Sequence, residues 1–240
     1  MNRFFTDSEI IDNKLKIENE DAHHIKDVLR LKENDRIICV KNKKEFLCNI
    51  DKFEKNSIIL RVEEKLTADY AEEIINITLM QGLPKGDKLE FIIEKAVEAG
   101  AERIIPLKLT RSIAKISEKD TGKKLMRFRK IAKSAAQQSH SLFIPEIEEP
   151  KTIKQIDFSI YDLKIVCYED EKKTSLKQVL GEYKAPKKIA VIIGPEGGLT
   201  PEEIEFLKEK DFISASLGKK ILRCETAGLY AIASINYNYM

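Results

Sequence analysis

Metal-ligand spacing is missing from this chain. Its four cysteines, Cys39, Cys48, Cys167 and Cys224, form no CxxC pair, and His23, His24 and His140 stand at no ligand distance from them. A structural metal site and a disulfide framework are therefore not expected. An export signal is also missing, because Asp7 and Glu9 interrupt the start where an apolar stretch would be needed. No later apolar run is long enough to span a bilayer, so the expectation is a cytoplasmic protein with no membrane partner. Global charge is weak: 42 basic against 40 acidic side chains leave a net of +2, which announces no nucleic-acid binder. There is no GxGxxG, so a dinucleotide site gains no support. Repeats and low-complexity tracts are absent as well.

What is present is 42% hydrophobic and 34% charged residues over 240 positions, a globular composition with room for two folding units. From Arg3 to about Leu66 short β-type runs alternate with polar turns, among them Arg36–Val40, Phe46–Ile50 and Ser57–Val62. One helical segment interrupts them over Asp21–Leu31, with Ile25, Val28 and Leu29 on one face. The charged stretch Glu63 to Glu73 reads as a linker. Strands then alternate with helices: Ile74–Met80, Arg103–Leu107, Lys164–Tyr168, Ile189–Ile193 and Phe212–Leu217. That order predicts a mostly parallel sheet covered on both faces. The helix after the first strand opens at Asp87, with Glu90 in capping-box position and Leu89, Ile92, Ile93 and Ala96 as its buried stripe.

Charge is local. Between Lys119 and Lys133 stand Lys119, Lys123, Lys124, Arg127, Arg129, Lys130 and Lys133 against Asp120 alone, while Phe128, Ile131, Ala132 and Ala135 keep helical spacing. Such a run is either a solvated face or a surface for a phosphate backbone.

Two segments can carry chemistry. The strand Ala190–Ile193 runs into Gly194-Pro-Glu-Gly-Gly198 and then into a helix with Thr200 as cap, Pro201 at its first position and Glu203 completing a capping box. Glycines after a parallel strand let a ligand or another chain segment come close, though a plain tight turn uses them too. The second segment is Ser216-Leu-Gly-Lys-Lys-Ile-Leu-Arg-Cys-Glu-Thr-Ala227. It can present backbone groups to an adenine edge with aliphatic cover from Ile221 and Leu222. Alternatively Ile221 and Leu222 are core, and Arg223 pairs with Glu225 at the surface.

Together these segments resemble the paired motifs of the ribosomal RNA small subunit methyltransferase E family. Further segments resemble that family in the same order: His23-His24 with Val28-Leu-Arg30, Leu83-Pro-Lys-Gly-Asp-Lys88, Thr110-Arg-Ser112, Gln138-Ser139 and Pro145-Glu-Ile147. Lysines at 219 and 220, Gln137 and Ser141 depart from it, where proline, arginine, glutamate and arginine are common. The resemblance implies an α/β fold class, namely a C-terminal SPOUT domain with a deep trefoil knot and a mostly parallel sheet, preceded by a small PUA-like β-barrel domain. The expected boundaries are 1–68 for the RNA-binding domain and 72–240 for the methyltransferase domain. It implies S-adenosyl-L-methionine as cofactor, N3 of a uridine in 16S ribosomal RNA of the small subunit as target, and a homodimer.

By the same resemblance the cofactor walls are Cys167, Tyr168, Ile193, Gly194, Glu196, Gly197, Gly198, Leu217, Gly218, Ile221, Leu222 and Arg223. The catalytic candidates are Arg223 and Arg111 as cations and Glu225 as the nearest carboxylate, with His140 an outside candidate for the base. RNA contacts are expected from Arg3, His24, Arg30, Lys123, Lys124 and Arg127. Two rival readings remain: another SPOUT enzyme acting on a ribose 2′-oxygen, and a non-catalytic RNA-binding protein.

Overall fold

A computed structural model describes residues 1–66, 75–114, 116–184 and 186–239. The chain folds as two compact units, Met1–Glu72 with Ala136–Ile144, and Glu73–Ala135 with Pro145–Met240.

The first unit is built on a five-stranded sheet of β1 (Arg3–Phe5), β2 (Lys14–Glu18), β3 (Arg36–Lys41), β4 (Lys44–Phe53) and β5 (Ser57–Lys65), in the order β1-β3-β4-β5-β2. Only the β1–β3 pair is parallel. Alternation decides which face is inside: Leu15, Ile17, Ile37, Cys39, Cys48, Ile50, Ile58 and Leu60 are buried together with Ile25. Register shifts between β4 and β5 curl the sheet. Its edges approach through side chains, since Thr6 Oγ1 donates to Lys16 O at 2.7 Å and Lys16 N donates to Ser8 Oγ at 3.1 Å.

Two expectations change here. The helix begins as α1 (Asn19–His23) but continues as a π-helical turn over His24–Val28, closed by Leu29 N to His24 O at 2.9 Å. The wider turn breaks the 3.6-residue period, so Ile25 is fully buried while Val28 is 60% exposed. The linker also starts later than its charges suggested: Glu63, Glu64 and Lys65 belong to β5, with Glu63 accepting from Asn49 and pairing with Arg36. The rest of that stretch, from 67, lies outside the described residues, as does the start of the expected strand at Ile74.

The second unit holds a six-stranded, wholly parallel sheet in the order β11-β9-β10-β6-β7-β8. Its strands are β6 (Asn76–Gly82), β7 (Ala101–Leu107), β8 (Glu146–Ile147), β9 (Leu163–Cys167), β10 (Lys188–Ile193) and β11 (Ile213–Ala215). The helices are α2 (Lys88–Glu98), α3 (Glu118–Gln138), α4 (Leu176–Glu182), α5 (Pro201–Lys208) and α6 (Cys224–Tyr239). Helices on both faces leave the middle of the sheet buried, as at Leu79, Met80, Ile165, Val166, Val191 and Ile192. The mostly parallel α/β class is the one expected. After β11, which pairs with β9, the chain returns across the sheet so that α6 packs on α2, β10 and β6.

Helix starts follow the sequence unevenly. Thr200 and Glu203 form the expected capping box on α5. Asp87 makes no side-chain cap, because its φ of −92° and ψ of 10° turn it off the extended cap geometry, and Glu90 pairs instead with Arg127 at 2.6 Å. The stripe of α2 is buried as spaced. Among the described residues no helix is long and apolar enough to cross a membrane.

Candidate cofactor and catalytic site

The carboxyl ends of β6, β9, β10 and β11 converge on one side of the sheet, where ligands sit in parallel folds. At the end of β10 the chain turns through Gly194–Gly198, closed by Gly198 N to Pro195 O at 2.9 Å with Gly198 at φ +69°. This turn is held from three sides. Gln81 Nε2 donates to Gly82 O at 3.2 Å and reaches Gly194 O at 3.4 Å. Arg111 Nη1 donates to Gly197 O at 3.0 Å and Leu199 O at 3.2 Å. Buried Glu203 accepts from Thr110 N at 2.8 Å and Thr200 N at 2.9 Å, which ties the β7–α3 loop to the start of α5. Gly197 therefore faces Arg111, where an added Cβ would stand 3.1 Å from the arginine's own Cβ.

Beside the turn lies a cavity of about 940 Å³, within the range of small-molecule sites. Every expected cofactor residue lines it except Gly197: Cys167, Tyr168, Ile193, Gly194, Glu196 and Gly198 on one side, Leu217, Gly218, Ile221, Leu222 and Arg223 on the other. Ile221 is 87% exposed, so the alternative that made it core is set aside. Gly218 adopts φ +119° with nothing within 4 Å of where a Cβ would be. Open space is therefore left along the backbone at this point of the cavity wall.

Lys88 and Glu169 line the same cavity and were not singled out from sequence. The Glu169 carboxylate lies over Gly198, where any side chain would strike it. Its position just past the end of β9 is a signal that the parallel topology supplies.

Electrostatics organises the wall. Lys88 Nζ stands 2.8 Å from Glu196 Oε1 and 3.7 Å from Glu225 Oε2. The hydrogen bond to Glu196 holds the Lys88 ammonium above its ordinary range. Burial pushes the Glu196 carboxyl up, but the Lys88 bond and the backbone N–H of Lys85 outweigh it and leave it below its ordinary range. Glu225 is also lowered, first by its own backbone N–H at the start of α6. Burial pushes the thiols of Cys167 and Cys224 up to about 12, and Cys224 donates to Glu225 Oε2 at 3.2 Å. A carboxylate so stabilised is a weak proton acceptor, and Glu225 does not line the cavity. Its geometry suits anchoring more than proton removal. Arg111, clamped on the loop, likewise lies off the wall.

The expected RNA contacts divide by exposure. Arg3 is turned inward, 8% exposed and paired with Glu45, because it sits on β1 among the buried residues of the first unit; it is not offered to a phosphate. His24 and Arg30 are exposed, His24 with its ring edge-on to Phe4 at 6.2 Å. Lys123 and Lys124 are exposed on α3, while Arg127 is engaged by Glu90. The inner stripe of α3 includes Phe128, Ala132 and Ala135, as spaced, and Leu125 besides.

Comparison with known proteins agrees in both units. Residues 71–236 match the model of the RNA methyltransferase domain and residues 17–63 that of the RNA methyltransferase PUA domain. The ribosomal RNA small subunit methyltransferase E of Bacillus subtilis is 37% identical over 228 residues, 92% of this chain and 89% of that protein. Its namesake from Rickettsia conorii is 35% identical over 239 residues, 98% of this chain and 94% of that one. Among solved structures, the Neisseria gonorrhoeae ribosomal RNA small subunit methyltransferase E, bound to S-adenosyl methionine, superposes with a TM-score of 0.85 at 28% identity. The overlap covers 100% of this chain and 98% of that one. With matches of this extent, the chain belongs to the ribosomal RNA small subunit methyltransferase E family.

Proposed function

We propose that this chain methylates N3 of one uridine in 16S ribosomal RNA. Family membership makes it an S-adenosylmethionine-dependent ribosomal RNA methyltransferase. The observation that carries the site reading is that both glycine-containing segments line one cavity.

The cofactor supplies an electrophilic methyl group on a sulfonium; the chain supplies position and charge. Gly194, Gly198 and Gly218 let the backbone reach the ligand, while Ile221 and Leu222 cover an apolar ring. Uracil N3 attacks only after its proton has passed to solvent, and a cation must stabilise the anion that results. Arg223, on the cavity wall directly before α6, is assigned that role. Arg111 keeps the Gly194–Gly198 turn in place, and Glu225 anchors the start of α6. N3 lies on the Watson–Crick edge, so the target must be unpaired or flipped out.

In this reading residues 1–68 form the RNA-binding domain and 72–240 the methyltransferase domain, acting in the cytoplasm as a pair of identical chains. Transfer of a labelled methyl group from S-adenosylmethionine to 16S RNA, free or in the small subunit, tests the activity. Loss of label transfer with intact RNA binding would favour the non-catalytic reading.

His24 and Arg30 on the first unit and Lys123 and Lys124 on α3 are assigned to the phosphate backbone. Replacing Lys123, Lys124 and Arg127 together by alanine is expected to weaken RNA binding and lower the slope of log affinity against log salt by about 2. Two is expected rather than three because Glu90 already engages Arg127. Filter binding across salt concentrations measures it. An unchanged slope would remove α3 from the RNA surface.

A further inference from the structure

We propose that Lys88 is a positioning residue that locks the two cofactor segments to each other, an inference that rests on the cofactor reading above. Lys88 is the first residue of α2, where the helix dipole disfavours a cation. Its Nζ is nevertheless held between two carboxylates from distant parts of the chain: Glu196 in the turn after β10 and Glu225 at the start of α6. Glu196 is fixed further by the backbone N–H of Lys85, at 3.1 and 3.2 Å to its two oxygens. Glu225 accepts from the Cys224 thiol and sits two residues after Arg223. The start of α2 thus grips the first segment through Glu196 and the second through Glu225, and both segments line the cavity.

Without this cation, the Glu196 and Glu225 carboxylates lose their shared partner. The separation of the turn from the start of α6, and with it the placement of Arg223, then loses its tie. Lys88 acts through these groups rather than on the reacting atoms. Its effect falls first on cofactor affinity and then on kcat.

The test uses the full chain with S-adenosylmethionine and its demethylated product as probes in calorimetry. Lys88→Met is expected to weaken binding of both about five- to tenfold, the net worth of one ordinary hydrogen bond. Lys88→Arg should recover most of the loss. Lys95→Met, on the same helix but paired with Glu94 and Glu98 away from the cavity wall, is the control and should bind as the unaltered chain does.

A pH series separates a lock from mere packing. Lys88 opposes the burial of Glu196, and Arg223, Cys224 and the Lys85 N–H are the other groups facing the two carboxylates. A carboxyl held low keeps its contribution as pH falls until its own lowered range is reached. In Lys88→Met only the backbone N–H groups of Lys85 and Glu196 still oppose burial, so affinity should begin to fall at a higher pH than in the unaltered chain. Thermal melting reports whether each variant is folded. If the unaltered chain binds no cofactor, the cofactor reading fails. If it binds, and folded Lys88→Met binds equally well with the same acid limb, the lock is refuted. A loss that Lys88→Arg does not recover, with no shift of the acid limb, also overturns it.

Discussion

A Gly82→Ala variant is expected to melt several degrees lower than the unaltered chain and to bind S-adenosylmethionine at least tenfold more weakly. The added methyl would lie 2.5 Å from Pro195 N, 2.7 Å from Pro195 Cδ and 2.9 Å from Gly194 C, inside van der Waals contact with backbone. Neither side yields easily. Gly82 is in register with Leu107 of β7, and its neighbour Gln81 is in register with Ile193 of β10. The Gly194–Gly198 turn must therefore move, and it is the cavity wall. Overpacking of this kind costs about 1–3 kcal/mol, which for a chain of this size lowers Tm by roughly 2–4 °C per kcal/mol. Gly181→Ala in α4 meets nothing within 4 Å and serves as the neutral partner. Calorimetry and thermal melting measure both. Unchanged affinity in Gly82→Ala would mean that the turn does not shape the cofactor site.

Truncating Arg223 to alanine should lower kcat by about 10²–10³, the range for removing one preorganised donor to a developing anion. Binding of S-adenosylmethionine and RNA should change far less. The arginine's backbone carbonyl accepts from Thr226 N at 2.9 Å and Ala227 N at 2.8 Å, so the start of α6 is held by main chain and survives the truncation. Its side chain is exposed on the cavity wall, free to meet substrate. Single-turnover rates at saturating RNA and cofactor isolate the step. A loss confined to KM for RNA would make Arg223 a phosphate contact instead.

The parts legible in the sequence are those where local chemistry decides. The stripe of α2 follows from spacing, the Thr200–Glu203 box from a cap and a carboxylate three residues on, and the parallel order from alternation of strands and helices. The turn Gly194–Gly198 announces close approach, and the structure supplies what approaches it: Gly82, Arg111 and the Glu169 carboxylate.

Long-range pairing is not legible in the same way. Glu90 reads as a capping residue, but Arg127, 37 positions away, takes it. Arg3 reads as a surface cation because the inward side of a three-residue strand cannot be told from so short a pattern. The π-turn after α1 breaks a period that Ile25, Val28 and Leu29 keep on paper. Lys88 lies inside a segment that carries the family resemblance, yet its meaning depends on Glu196 and Glu225, more than a hundred residues away. The packing of α6 on β6 and β10 joins segments far apart in the chain, which no local pattern announces.

The central claim is that the methyl group goes to N3 of a uridine. Its most direct test is mass spectrometry of nucleosides from unmodified 16S RNA, free and in small subunits, after incubation with the purified chain and S-adenosylmethionine. The expected product is 3-methyluridine at a single position, absent without the chain and strongly reduced with Arg223→Ala. Methyl on a ribose oxygen, or no methylated nucleoside from either substrate, would contradict it.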